Sequence, residues 1–562
     1  MKKIVNLLVV LILSLVVLIF VASCGNNNLS LYFYIDGDEY YKIDITEDGE
    51  IVFPADPTKE GYSFSGWFID KNVWTQQITE NSLQDTQILQ DTLLHAKFEI
   101  SNFEHSHIYD SNNVCETRTC TLCDCSISPV HDYSLVETYE AANLFAYGTG
   151  RYKCSLCQNV KIDSITPVEL DSLDIPIINF NGSLDGISKE NTVTIDMAYQ
   201  SKELNFECVA TLKVQGATSA AYPKKNFTAK FYKDNTLEDK YKVDFGWGKE
   251  NKYCMKANWI DVSQARNIVS AKLFADIIDT RDNPNQDLMN VVNHGVVDGF
   301  PVIVYLNNEF YGLYTMNIPK DSWMMGMDGD SDTRQAILMA ESWTNSCALR
   351  EPIESDFSNG WELEYSSTDD ETWVIESFNS FIDFLINNDG ADLRNGLSGY
   401  LDVNAAIDAM IFTYYIAAMD NTAKNVLWAT YDGVQWFPSM YDMDGTYGLF
   451  WNGEFAKKTN DFIPKIVNGE VSLENNLLWK KLFDNYREEI KERYFELRKS
   501  VLSVDNVEDV FEEFFSLIPD VAYESDADRW STMPSIHTNN INQIITFIKE
   551  RVVWLDGFFE QL

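Results

Sequence analysis

Hydrophobic and polar positions divide the chain into stretches of different period. A long apolar run, interrupted by Asn6 and Ser14, spans Val5 to Val21 behind Lys2 and Lys3. Then Leu31-Tyr32-Phe33-Tyr34-Ile35 alternates with period two and ends at Asp36-Gly37-Asp38, which predicts a strand and a turn. Tyr40-Tyr41-Lys42-Ile43-Asp44-Ile45 predicts a second strand. From residue 170 onward the first half alternates strand patterns with Asn/Asp/Gly turns. The second half carries apolar positions at helical spacing, over Val374–Asn387, Val403–Met419, Asn475–Ser503 and Ile541–Phe559. Strands followed by helices predict an α+β domain over 170–562.

Length and charge then narrow the class. A chain of 562 residues is too long for one core and predicts several domains. With 43 basic and 86 acidic side chains the formal net charge is −43, spread along the chain. Such a surface repels nucleic acid and anionic lipid and suits cations or basic proteins; in its plainest reading it is a well-solvated exterior.

The apolar start ends at Val21-Ala22-Ser23-Cys24-Gly25. Small residues before a lone Cys resemble a lipoprotein box. This implies that residues 1–23 are a signal peptide, that Cys24 is lipidated, and that 24–29 tether the protein outside the cytoplasmic membrane. The alternative is a transmembrane anchor, for which the run is nearly long enough.

Within residues 30–99, Gly61-Tyr62-Ser63-Phe64-Ser65-Gly66-Trp67-Phe68 resembles the internalin B-repeat (Listeria–Bacteroides repeat). That resemblance implies a small β-grasp-like surface module serving as spacer or adhesin. Residues 105–160 are rich in Cys and His. Cys120-x-x-Cys123 and Cys154-x-x-Cys157 are two knuckle-like pairs, with Cys115, Cys125, His105, His107 and His131 nearby. Short loops presenting two thiolates each suit one tetrahedral structural Zn²⁺ held by Cys120, Cys123, Cys154 and Cys157, a zinc-ribbon-like module. Disulfides are the alternative that an exported location permits.

The candidate chemistry lies after an apolar helix. Asp420 is followed five positions later by Asn425, a hairpin pattern comes next, and Asp442-Met443-Asp444-Gly445 closes the segment. Protein kinases use this order: a carboxylate to accept the substrate hydroxyl proton, then oxygen ligands for a divalent cation. Each part alone is ordinary in an acidic chain; Asp-Gly, for one, is a common turn.

Five segments carry a closer resemblance. They are Val214-Gln215-Gly216-Ala217-Thr218-Ser219-Ala220-Ala221-Tyr222-Pro223-Lys224-Lys225-Asn226-Phe227, Asn258-Trp259-Ile260-Asp261 with Arg266-Asn267, Val304–Tyr314, Asp420-Asn421 with Asn425, and Tyr441–Gly448. In this order they resemble the spore-coat protein H (CotH) family. The resemblance implies an atypical protein-kinase-like domain using ATP with Mg²⁺ or Mn²⁺. Asp420 is then the catalytic base. Asn425, Asp442 and Asp444 hold metal, and spacing alone does not rank Asp442 against Asp444. Gln215, Gly216, Thr218 and Ser219 form a phosphate loop, and Lys225 pairs with the phosphates. Arg266 opens a helix over Ile268–Ile278, as a salt-bridge or capping residue. Ala217, Ala220 and Tyr441 depart from the family pattern, and no charged participant is lost.

The implied function is transfer of phosphate to Ser or Thr of a partner protein, such as a basic surface or coat protein. The competing readings are a non-catalytic surface adhesin and another nucleotidyl transfer on the same fold.

Overall fold

The computed structural model describes residues 29–45, 51–84, 91–100, 106–123, 125–169, 173–216, 218–327, 333–468, 470–472, 476–534 and 541–562. The leader and Cys24 lie outside the described residues. None of the described helices is long and apolar enough to cross a membrane. The chain forms two compact units, Met1–Glu137 with Arg151–Ile162, and Thr138–Gly150 with Asp163–Leu562.

In the smaller unit, strands Asp38–Asp44, Ser30–Ile35, Thr92–Ile100, Tyr62–Phe68 and Gln77–Ile78 lie side by side in that order. Ser30–Ile35 runs parallel to Thr92–Ile100. Alternation buries Leu31 and Phe33, which join Trp67, Leu83, Leu94 and Ala96 in a small core. Phe33 meets Trp67 edge to face at 4.9 Å. Gly66 has φ +127° beside a bulge, and a Cβ there would collide with the Gln77 side chain.

The larger unit begins earlier in the chain than residue 170. Leu144 is part of its core, Leu144 N–H donates to Ser525 Oγ at 3.0 Å, and Asn143 donates to Asp528 at 2.9 Å. Seven strands close a barrel, in the order Ile177–Asn181, Val193–Gln200, Asn205–Gln215, Asn226–Tyr232, Lys252–Lys256, Glu309–Asn317 and Gly299–Leu306. The last two form a hairpin whose turn, Asn307-Asn308, takes φ +53° and +62°, the left-handed pair that a tight two-residue hairpin needs.

A second sheet follows, in the order Trp361–Ser366, Ala336–Ala340, Val426–Thr430 and Phe437–Met440. Helices surround it. Val403–Ile416 is buried on nearly every side, as its all-round apolar sequence requires. The run expected to reach Met419 stops because Ala417 turns left-handed at φ +57°. The run over Asn475–Ser503 divides into Leu477–Asn485 and Arg487–Arg498 at Tyr486, where ψ is 35°. The return strand of the expected hairpin is Phe437–Met440. The Asp432 carboxylate accepts from Val434 N–H and Gln435 N–H, which makes a longer, side-chain-stabilised loop. Pro438 fits there because Phe437–Met440 is an edge strand.

Candidate functional site

A cleft of ≈ 770 Å³ opens in the larger unit, the size of a pocket for a nucleotide-sized ligand. Its lining includes Asp420, Asn425, Asp442, Asp444, Gln215, Gly216 and Ser219. These sequence-predicted residues therefore share one cavity. Thr218 lies on the adjoining turn Thr218–Ala221. Lys225 is not among the lining residues. Its ammonium turns back to the Ala220 carbonyl at 2.8 Å and serves the turn instead.

The acidic residues arrive on two loops. The helix Val403–Ile416 delivers the turn Asp420–Thr422, where Asp420 is partly exposed and 3.3 Å from Lys424. Asn425 follows with φ +59°, and its backbone N–H donates to the Ala340 carbonyl at 2.7 Å. The buried amide of Asn421 donates to the carbonyls of Asn425 at 2.9 Å and Tyr441 at 2.8 Å, so it bridges the two loops.

The second loop is held from beneath. Asn267 Oδ1 accepts from Met443 N–H at 2.9 Å, and Arg266 Nε donates to the Thr446 carbonyl at 3.3 Å. Arg266 is fully buried at the start of the helix Arg266–Asp279, ion-paired with buried Asp261 and bonded to Gln543. The expected salt-bridge role is therefore where Arg266 sits. With Met443 and Thr446 anchored, Tyr441, Asp442 and Asp444 of this loop line the cleft. Asp442 takes φ +53°, a conformation that costs a non-glycine residue of order 1 kcal/mol and persists only when its surroundings enforce it.

Charge is concentrated here. Burial, then repulsion from Asp442, Asp261 and Asp420, pushes the Asp444 carboxyl well above the usual range, with Lys256 opposing. Carboxylate and amide oxygens are hard donors, the kind that suit Mg²⁺ or Mn²⁺, and these residues line one cleft.

The rest of the cleft is basic for so acidic a chain. Seven lysines line it against six carboxylates. Strand Lys252–Lys256 alternates, turning Tyr253 and Met255 into the barrel core and Lys252, Cys254 and Lys256 into the cleft. Lys256 and Lys320 stand 5.7 and 5.8 Å from the centre of the Tyr441 ring, within cation–π reach. Lys320 also pairs with Glu364, with Glu362 at 2.9 Å and with Glu341 at 3.4 Å. Burial opposes the charge on Lys320, but Glu364, Tyr441 and Glu362 outweigh it and hold the ammonium above its ordinary range. Burial lifts Glu364 to about 7, against the pull of Lys320.

Sequence reasoning missed Lys256, Lys320 and Glu364. The period-two pattern Lys252-Tyr253-Cys254-Met255-Lys256 was the available signal for Lys256. Lys320 and Glu364 lie far apart in sequence, and no local pattern joins them. Lys224, adjacent to the expected Lys225, is fully buried, donating to Leu313 O at 2.5 Å and to Asp526 at 2.8 Å.

The two CxxC pairs, both in the smaller unit, do not converge on one point. Cys154 and Cys157 group with Cys115 and His131, whereas Cys120 and Cys123 group with His107. The one-ion set expected from Cys120, Cys123, Cys154 and Cys157 is thus divided, because each knuckle folds against a histidine of its own.

No curated protein matches the chain. The Listeria-Bacteroides repeat domain matches residues 30–97. The CotH kinase protein family matches residues 212–555, more than half of the chain and including every cleft residue named above. The chain belongs to the CotH kinase protein family.

Proposed function

We propose that this chain is a surface lipoprotein, anchored outside the cytoplasmic membrane through Cys24, whose larger unit is an atypical protein kinase. It transfers the γ-phosphate of ATP to a Ser or Thr hydroxyl of a partner protein. The observation that carries the proposal is that Asp420, Asn425, Asp442 and Asp444 line one cleft together with Lys256 and Lys320. The fold follows the same logic: a barrel bearing the turn after Gln215, and a helical part bearing the acidic loops.

Each residue then has a role. Asp420 is partly exposed beside Lys424, and its carboxylate accepts the proton of the acceptor hydroxyl. The hydroxyl oxygen bonds to the γ-phosphorus, the bond from phosphorus to the bridging oxygen breaks, and ADP departs. Asn425, Asp442 and Asp444 would hold Mg²⁺ or Mn²⁺, which neutralises phosphate charge when bound. Lys256 and Lys320 orient phosphate oxygens, with Glu364 and Tyr441 fixing where Lys320 points. Gly216 has φ +102°, and a Cβ there would collide with Ser219 Oγ, so the turn over the phosphates needs glycine.

The acidic exterior favours a basic protein partner, such as a Lys- or Arg-rich surface or coat protein, over nucleic acid. The Listeria-Bacteroides repeat over residues 30–97 favours a second reading, in which the larger unit is a non-catalytic adhesion module on a stalk. Nucleotidyl transfer on the same residues is the third. One experiment separates them. The full chain is incubated with ATP, Mn²⁺ and a Lys-rich acceptor protein, and the acceptor's mass is measured. Addition of a phosphoryl group supports the kinase, addition of AMP supports nucleotidyl transfer, and an unchanged mass supports the adhesin.

A further inference from the structure

The smaller unit contains a second concentration of chemistry, independent of the cleft. Among the described residues of 106–137 and 151–162, only Cys115, Cys120 and Cys154 are buried. The strand Tyr133–Glu140 is exposed along almost all its length, as is Val160–Ile165. This stretch has no apolar core, and small modules without one are held by metal ions or disulfides.

Its cysteines are arranged for metal. The ligand atoms of Cys115, His131, Cys154 and Cys157 all lie within 4.8 Å of one another. Cys115 Sγ is 3.6 Å from Cys154 Sγ, and Cys157 Sγ is 3.3 Å from His131 Nδ1. A tetrahedron with Zn–S of about 2.3 Å has edges of about 3.8 Å, so these four atoms already approximate its corners. A histidine at one corner has no role in a disulfide.

The local fold is repeated. His107-Ile108-Tyr109 precedes Cys120-x-x-Cys123 as His131-Asp132-Tyr133 precedes Cys154-x-x-Cys157. In each copy the residue after the first knuckle cysteine donates its N–H to the residue after the histidine, Thr121 to Ile108 O and Ser155 to Asp132 O, both at 2.8 Å. Each first cysteine donates its N–H five residues on, Cys120 to Cys125 O at 2.7 Å and Cys154 to Asn159 O at 2.8 Å. The histidine ring packs on its own tyrosine in both, at 5.9 and 5.1 Å. In the first copy Leu122 N–H points at Cys120 Sγ at 3.4 Å, the kind of outer bond that stabilises a metal-bound thiolate. Cys123 Sγ lies 3.4 Å from His107 Nδ1, the counterpart of the Cys157–His131 approach.

We infer that the two knuckles bind two separate structural zinc ions, one on Cys115, His131, Cys154 and Cys157, the other on His107, Cys120 and Cys123. The first set is a complete Cys₃His shell. The second supplies three protein ligands and leaves a fourth position for water or another donor.

The test uses the full chain purified without chelator. Metal content by mass spectrometry should give two zinc per chain, with the knuckle thiols protected from alkylation until a chelator is added. Cys115→Ser should remove one equivalent and leave Cys120 and Cys123 protected. Cys120→Ser should remove the other and leave Cys154 and Cys157 protected. Replacement of zinc by cobalt should give the intense visible bands of tetrahedral thiolate coordination, a readout on the unmutated chain that does not depend on variants folding. One zinc per unmutated chain, lost entirely on mutating either knuckle, would mean a single shared ion and would overturn the inference. So would a metal-free chain whose knuckle cysteines are recovered as disulfides.

Discussion

The side-chain amide of Asn421 donates to the backbone carbonyl of Tyr441 at 2.8 Å, and this bond joins the loop that carries Asp420 to the loop that carries Asp442 and Asp444. The same amide serves Asn425 O at 2.9 Å. Asn421→Ala would take this donor from the Tyr441 carbonyl and leave the Asn425 carbonyl only its longer bond from Tyr441 N–H at 3.2 Å. The expected cost is about 1–3 kcal/mol in urea denaturation. A larger effect is expected on phosphoryl transfer, on the order of 10²-fold, because a small displacement of the loops separates their carboxylates. Unaltered transfer with reduced stability would show that Asn421 only holds the fold.

The Asp261–Arg266 pair is buried on both sides. Asp261→Asn strands a guanidinium without a counter-charge, and should cost about 3–5 kcal/mol. It also frees the loop at Thr446 O, which Arg266 holds. Thermal denaturation should show the loss, and the concentration of Mn²⁺ needed for half-maximal transfer should rise.

Glu364 makes the larger unit sensitive to pH. Its folded value of about 7 lies above the ordinary 4.5, so the folded state binds the extra proton between these values. That contribution to stability is fully present below about pH 4.5 and is lost as pH rises through about 7. The two values differ by an amount that sets an upper figure of about 3 kcal/mol. Glu364→Gln should flatten the dependence of unfolding free energy on pH in that window. Because Glu364 positions Lys320 only when ionised, transfer by the unmutated chain should increase through pH 7, and the variant should lose that increase.

Gly312 permits the Lys224–Asp526 pair. A Cβ there would sit 2.9 Å from Lys224 Cε and 3.0 Å from Asp526 Oδ1. Gly312→Ala should cost about 1–3 kcal/mol by overpacking, read as a fall in the denaturation midpoint. Binding of metal to the acidic loops should be unaffected, since the hydrogen bonds of this pair run to each other and to Leu313.

Why some of this was legible from sequence and some was not follows from the residues. Asp420, Asn425, Asp442 and Asp444 sit in two short segments whose spacing survives folding, so their order alone suggested a shared site. The helices over Thr372–Asn387 and Ile541–Glu560 follow their apolar periodicity within two residues. The barrel's closure was not legible, because it depends on Ile177–Asn181 pairing with Gly299–Leu306 across more than a hundred residues. Lys225 and Lys224 look alike in sequence, and only the pull of Asp526 and of the Ala220 carbonyl decides where each ammonium goes. The CxxC pairs suggested one ion because spacing cannot show that His107 and His131 each fold back onto a different knuckle.

The central claim is that the two acidic loops form one nucleotide-dependent transfer site. It is tested most directly by incubating the full chain and an acceptor protein with Mn²⁺ and ATP labelled at either the γ or the α phosphate. The account predicts label from the γ position only, on Ser or Thr, abolished by Asp420→Asn and by Asp444→Asn while both variants keep the unmutated denaturation midpoint within a few degrees. Absence of γ label, together with no shift of that midpoint by ATP and metal in the unmutated chain, would contradict it.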